Sequence, residues 1–291
     1  VAAGTHPQSG AGKLYLFDNS GNLHWETQIA GGGEGVISIS FSNDGEYLVA
    51  GSHNNKVYYF DKDSSTEIWS YTTAGNVYSV AMSSDGEYIA VGTENDKIYL
   101  FDKDSSTPSW TYTTDDHVYS VSISADGEYI VAGSGVDDNG KVYLFDKDSS
   151  TPSWSYSTSG DVNSVSISED GQYVTAASSS NKVYFFDKDS GTPLWSYSLS
   201  SNDFTAVSIS ADGKHIIAGS DDDKVYKFTT IWDPGLIFGS SGHLYDDNSP
   251  YDNAVNIDIT DEFTAVPEFS TILLPIASVL VIVGLNYRRR S

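Results

Sequence analysis

The stretch Val118–Tyr156, VYSVSISADGEYIVAGSGVDDNGKVYLFDKDSSTPSWSY, decides the fold, because near-copies of it fill most of the chain. Aligning the copies on Lys-x-Tyr brings Lys13, Lys56, Lys97, Lys141, Lys182 and Lys224 into register, spaced by 43, 41, 44, 41 and 42 residues. Trp25, Trp69, Trp110, Trp154, Trp195 and Trp232 keep the same beat. A fixed period of about forty residues marks a solenoid, a propeller or an array.

Inside the unit, Val118-Tyr-Ser-Val121-Ser-Ile123 alternates apolar and small polar residues, the period of a strand packed on one face. Asp126-Gly127 supplies a hairpin turn, since Gly accepts a positive φ that other residues resist. Tyr129–Gly133 and Lys141–Phe145 are nearly continuous apolar runs, as expected of middle strands covered on both faces. After the turn-forming segment Asp146–Pro152, Ser153-Trp154-Ser-Tyr156 reads as a fourth, more polar strand. Four strands per period make one blade of a β-propeller. Helical repeats of similar length are excluded by the Val, Ile, Tyr, Thr, Ser and Gly content and by the lack of apolar spacing at three and four.

The expected fold is therefore all-β: a single propeller of six four-stranded blades, or seven, over residues 1–260, with repeats clear to 233 and degenerate over 234–260. The first blade lacks its first strand, with Val1–Gly4, Lys13–Phe17 and Leu23–Glu26 as its remaining three. Blades two to six begin near Val36, Val77, Val118, Val162 and Phe204. The sixth lacks the Asp-Lys-Asp-Ser-Ser segment and takes a shorter route to Trp232. Gly235–Ser249 reads as a decayed blade or a surface hairpin. Val255–Thr260 alternates like a first strand, and is expected to complete the first blade and join the ends of the ring.

Residues 261–269 form an acidic linker, and 270–287 (STILLPIASVLVIVGLNY) carry no charge. As a helix these would reach roughly 27 Å, enough for a thin bilayer. Arg288, Arg289 and Arg290, the only arginines, follow within the tail 288–291 and place that end in the cytoplasm and the propeller outside. The chain opens at Val1 without an initiating Met, as a mature form or a fragment would.

The formal charge of −25 argues against nucleic acid, because phosphate contacts need clustered Lys or Arg. There is no cysteine, so neither a disulfide framework nor a thiolate metal site can form. Histidines are isolated, and Ala30–Gly35 is glycine-rich without the Lys-Ser/Thr of a phosphate loop.

Recurring Asp-Lys-Asp loops supply the candidate metal residues: Asp61 and Asp63, Asp102 and Asp104, Asp146 and Asp148, Asp187 and Asp189. Alternating oxygen ligands can hold calcium, but these loops lack the further carboxylates and the Gly of a working calcium loop. The alternative is a turn capped by its own Asp side chain. A ligand site should appear where the repeat is broken, at His53, His117, the Gly135–Gly140 insertion or His6–Gly12. No catalytic or cofactor-binding residue is assigned.

Ser-x-Asp-Gly-Glu-Tyr, Ala-Gly-Ser and Lys-Val-Tyr-x-Phe-Asp resemble WD-repeat blades, with Trp-Asp itself only at Trp232-Asp233. Asp146–Trp154 and its copies Asp61–Trp69, Asp102–Trp110 and Asp187–Trp195 are similar to the docking repeat of pyrroloquinoline-quinone-type propellers, with Ser-Ser or Ser190-Gly191 for Thr-Gly. That resemblance implies blade packing and no cofactor site. Pro267-Glu268-Phe269, an apolar helix and terminal basic residues resemble the PEF-CTERM sorting signal of archaeal surface proteins. It implies an archaeosortase-type transpeptidase that cleaves near the motif and anchors the protein at the surface.

The function expected is that of a non-catalytic, membrane-anchored surface propeller contacting proteins or glycans, with a quinone-dependent dehydrogenase or another propeller enzyme as the alternative.

Overall fold

A computed structural model describes residues 1–5, 11–29, 34–232, 237–238, 244–245 and 253–260, with backbone alone from residue 231 onward. The described residues fall within the unit Val1–Asp261 and form strands and turns without a helix. The linker 261–269, with Pro267, Glu268 and Phe269, the apolar stretch 270–287 and the tail 288–291, with Arg288, Arg289 and Arg290, lie outside them. Among the described residues no helix is long and apolar enough to cross a membrane.

Five four-stranded antiparallel sheets and one three-stranded sheet follow one another along the chain in the manner of propeller blades. The fourth is representative: Val118–Ile123, Tyr129–Ser134, Lys141–Asp146 and Trp154–Ser157 pair in sequence order. Its middle strands are buried almost throughout, and its last strand alternates between exposed and half-buried, as the apolar and polar runs require. The first sheet has the three strands expected, Ala2–Gly4, Lys13–Phe17 and Leu23–Gln28.

The first strand of each blade is not the simple alternation read from its sequence. Val118 pairs with Ser134 and Ser120 with Gly133, so Tyr119 is an extra residue in a β-bulge. The same shift falls at the same place in the second, third, fifth and sixth blades, leaving Ile37, Tyr78, Asn163 and Thr205 as the bulged residues. A bulge re-aims the side chain it carries. Val118 and Val121, three apart, are consequently the two residues of this strand that are buried.

Successive blades are joined by three recurring contacts. A serine hydroxyl of one inner strand accepts the N–H of the next: Ser38 from Val80 at 3.0 Å, Ser79 from Val121 at 3.1 Å, Ser120 from Val165 at 3.0 Å and Ser164 from Val207 at 3.2 Å. Each outer-strand Trp stacks on a buried Phe of the following blade, Trp110 on Phe145 at 5.3 Å and Trp154 on Phe186 at 5.2 Å. In the first four blades its indole N–H donates to the lysine carbonyl in the following blade's Asp-Lys-Asp turn, Trp110 to Lys147 and Trp154 to Lys188, both at 2.7 Å. Burying one such Phe contributes roughly 1.5–3 kcal/mol, so the junctions hold much of the core.

Two expectations for the sixth blade are corrected. Lys224–Trp232 is one unbroken third strand of nine residues, so Trp232 ends that strand and does not start a fourth. Asn253–Thr260 pairs antiparallel with it as the outermost strand of the same sheet, Val225↔Thr260 through Trp232↔Asn253, and does not complete the first blade. The physical reason lies in the missing Asp-Lys-Asp-Ser-Ser turn. Without it the chain runs straight on, and the unpaired edge of Lys224–Trp232 is satisfied by a segment from further along. Between them, Ile237–Phe238 and Leu244–Tyr245 pair as a hairpin, one of the two readings of Gly235–Ser249.

Candidate functional site

Each blade has two ends, and the repeat is kept at one and broken at the other. At the kept end lie the Ser-x-Asp-Gly turns and the Asp-Lys-Asp turns. Ser124 donates its hydroxyl to Asp126 at 2.6 Å, Asp126 accepts Glu128 N–H at 3.0 Å, and Gly127 turns with φ +74°. In the copy at Asp212 the Ser210 hydroxyl and the Lys214 N–H lower the carboxyl to about 2.

The four candidate calcium pairs stand at this end, one pair to a blade. In each, the first carboxylate caps its own turn: Asp61 accepts Asp63 N–H at 2.8 Å, Asp102 accepts Asp104 at 2.9 Å, Asp146 accepts Asp148 at 2.9 Å and Asp187 accepts Asp189 at 2.8 Å. The second carboxylate is exposed, and in three copies it meets the intervening lysine, Lys62 to Asp63 at 2.7 Å, Lys147 to Asp148 at 3.1 Å and Lys188 to Asp189 at 2.6 Å. The geometry is that of side-chain-capped turns, and the fold does not bring the pairs together. Among the described residues no group of three or more carboxylates or imidazoles is placed to hold a metal ion.

The other end is the mouth formed by the starts of the inner strands and the hairpins between second and third strands. A common backbone bond ties hairpin to strand in five blades: His53 N–H to Gly35 carbonyl, Glu94 to Asn76, Gly135 to His117, Ser179 to Asp161 and Asp221 to Asp203, all at 2.9–3.1 Å. On this constant frame the side chains differ from blade to blade. Tyr78 and Tyr119, both bulged residues, stack across the third and fourth blades at 5.6 Å and 21°. His117 meets both edge-on, at 6.4 and 6.3 Å, while its Nδ1 lies 2.9 Å from Asp96 Oδ1. His53 meets Tyr78 from the second blade at 6.0 Å.

Around this aromatic group stand carboxylates. Burial and the neighbouring Glu94 push the Tyr78 hydroxyl up to about 12, and burial with Asp161 beside it raises Tyr119. The insertion Gly135–Gly140 lays Asp137 and Asp138, at φ +55° and +69°, against the fifth blade, where Asp161 accepts the Asp138 N–H at 3.1 Å. Gly140 permits that approach, because a Cβ there would sit 2.1 Å from the Gly160 carbonyl oxygen. Burial first, then Asp138, Asp137 and Asp116, holds the Asp161 carboxyl above its ordinary value. Burial and Asp221 do the same to Asp203.

Of the expected departures from the repeat, His53, His117 and the Gly135–Gly140 insertion are thus brought to one mouth, while residues 6–10 of the His6–Gly12 stretch lie outside the described residues. Sequence reading missed Tyr78 and Tyr119 as site residues, since the bulge that turns them out is invisible to a two-residue alternation. Its one signal was the tyrosine where the other blades carry Ile37, Asn163 and Thr205.

Sheets of this order, joined by Trp onto the next blade's Asp-Lys-Asp turn, define a protein of pyrroloquinoline-quinone-like propeller repeats. The family model described as outer membrane protein assembly factor BamB matches residues 10–135 and 77–230, and the chain belongs to that family. A comparison with curated proteins returned no match.

Proposed function

We propose that the chain is a six-bladed β-propeller acting as a non-catalytic binding module at the cell surface, contacting surface proteins or glycans through the varied mouth. The observation that carries this reading is the division of each blade into a constant end and a varied end. Structural turns repeat at the one, and at the other the side chains that break the repeat meet. The family's description names an assembly factor, which supports a role in bringing proteins together over one in turnover. Export and anchoring rest on Pro267-Glu268-Phe269, the uncharged stretch 270–287 and Arg288–Arg290. An archaeosortase-type transpeptidase would be the anchoring partner.

Incubation with a quinone and calcium is expected to leave the melting temperature unchanged, whereas a rise of several degrees would favour the dehydrogenase alternative. Mass spectrometry of the native protein is expected to show loss of residues 270–291. An intact C-terminus would replace sorting with a simple membrane anchor.

A further inference from the structure

The mouth combines an aromatic surface with a surplus of negative charge, and the two together narrow the chemistry of what it binds. Tyr78 and Tyr119 are half-buried and stacked, so their rings are already ordered before anything arrives. Two histidines hold them: His53 meets Tyr78 edge-on, and His117, fixed by Asp96, abuts both rings. A tyrosine face attracts cations through its quadrupole. Glu94 acts electrostatically on both hydroxyls and Asp116 and Asp161 on that of Tyr119, and among the described residues no ion pair joins any of the three to a lysine. Lys141, on the same end of the fourth blade, is tied instead to Asp115.

A neutral sugar could stack on the tyrosines but would leave the charge of these carboxylates unanswered. An acidic partner would be repelled by them and by the chain's formal charge of −25. Resting on the reading of the mouth as the binding face, we propose that it docks a lysine- or arginine-bearing segment of a partner protein. One cationic side chain lies against the Tyr78–Tyr119 stack, and Glu94, Asp116 and Asp161 answer its charge. The tyrosines make this a built site and not a general property of an acidic surface, and the test turns on them.

The probe is a short glycine-spaced oligolysine or oligoarginine peptide, titrated by calorimetry into the full chain in neutral detergent at about 0.15 M salt, where distant surface charges are largely screened. Y78A/Y119A is expected to weaken binding by about tenfold or more, and Y78F/Y119F to restore it, because Phe keeps the ring quadrupole. D63N/D148N/D189N removes three exposed carboxylates from the opposite end of the blades and is expected to change affinity by less than about twofold. Unchanged melting temperatures of the variants check that the fold is kept. The inference is overturned by equal binding to wild type and Y78A/Y119A, by an equal loss in the triple variant, or by no binding of either peptide. It is likewise overturned if a neutral oligosaccharide binds in a Tyr78-dependent way and the peptides do not, an outcome that would leave the binding-module reading intact.

Discussion

The junctions among the first five blades and the surroundings of the sixth are built from the same repeat, yet they differ in several of the contacts that the repeat supplies. In the fourth blade, a Cβ on Gly133 would meet Val162 Cγ1 at 2.5 Å, because the fifth blade presses directly on it. At the matching Gly219, the nearest atom among the described residues belongs to Thr205 of the same blade, at 4.0 Å. Ser120 caps the N–H of Val165, whereas Ala206 stands at the same place in the sixth blade and has no hydroxyl to offer. Trp154 donates to Lys188, but the indole N–H of Trp195 is buried without an acceptor among the described residues, because the sixth blade has no Asp-Lys-Asp turn to receive it. Stability in this fold is therefore in large part a property of the interface between units, and a unit that departs from the pattern keeps the shape of a blade with fewer of its joints.

Four measurements sharpen the contrast. The largest effect is expected from F145A, which empties a fully buried position under Trp110 and should cost about 3–5 kcal/mol in denaturant unfolding. Next, G133A should cost roughly 1–3 kcal/mol by overpacking against Val162, while G219A, with no atom among the described residues nearer than 4.0 Å, should be neutral or slightly stabilising. Equal effects at the two glycines would mean that the sixth blade is covered as tightly as the fourth.

W154F should lose about 1 kcal/mol more than W195F, because only the first leaves a carbonyl, that of Lys188, without its donor. The smallest effects concern pH. Asp44 and Asp212 sit below the ordinary carboxyl value, held there first by the hydroxyls of Ser42 and Ser210. A lowered folded pKa means that their contribution is present at neutral pH and fades on acidification, for Asp212 between 3.8 and about 2. Asp161 and Asp203, raised by burial, carry the opposite sign, so acidification relieves them. In thermal melts D212N should be destabilising at pH 7, with the difference shrinking over that acid window, while D161N should be neutral or stabilising at pH 7.

Most of the blade architecture was legible because its signals are local: alternating runs, Asp-Gly turns and a Trp eight residues after an Asp. The similarity to docking repeats implied blade packing, while the Trp–lysine carbonyl bond that performs it came from the structure. What escaped is non-local or geometric. The missing turn after Phe228 could be read, but the choice of Asn253–Thr260 to cover the resulting edge depends on which strand edge is free in space. The candidate mouth was half visible. His53, His117 and the insertion stood out as breaks in the pattern, whereas Tyr78 and Tyr119 were hidden inside apparently regular strands. The Asp-Lys-Asp loops drew notice by recurring, and their recurrence reflects a turn that every blade must make.

The serine and indole bonds that join one blade to the next have a side chain on one side and the main chain on the other, and the turns of successive blades are tied by backbone alone, as in Ser84 N–H to Ala125 carbonyl. No blade thus needs a matched side chain in its neighbour at these bonds, and any copy that keeps the Asp-Lys-Asp turn can follow any other. Duplication or deletion of a whole unit leaves these couplings usable at once, without compensating mutation, so the length of the array is free to change by unequal recombination while the mouth diversifies independently.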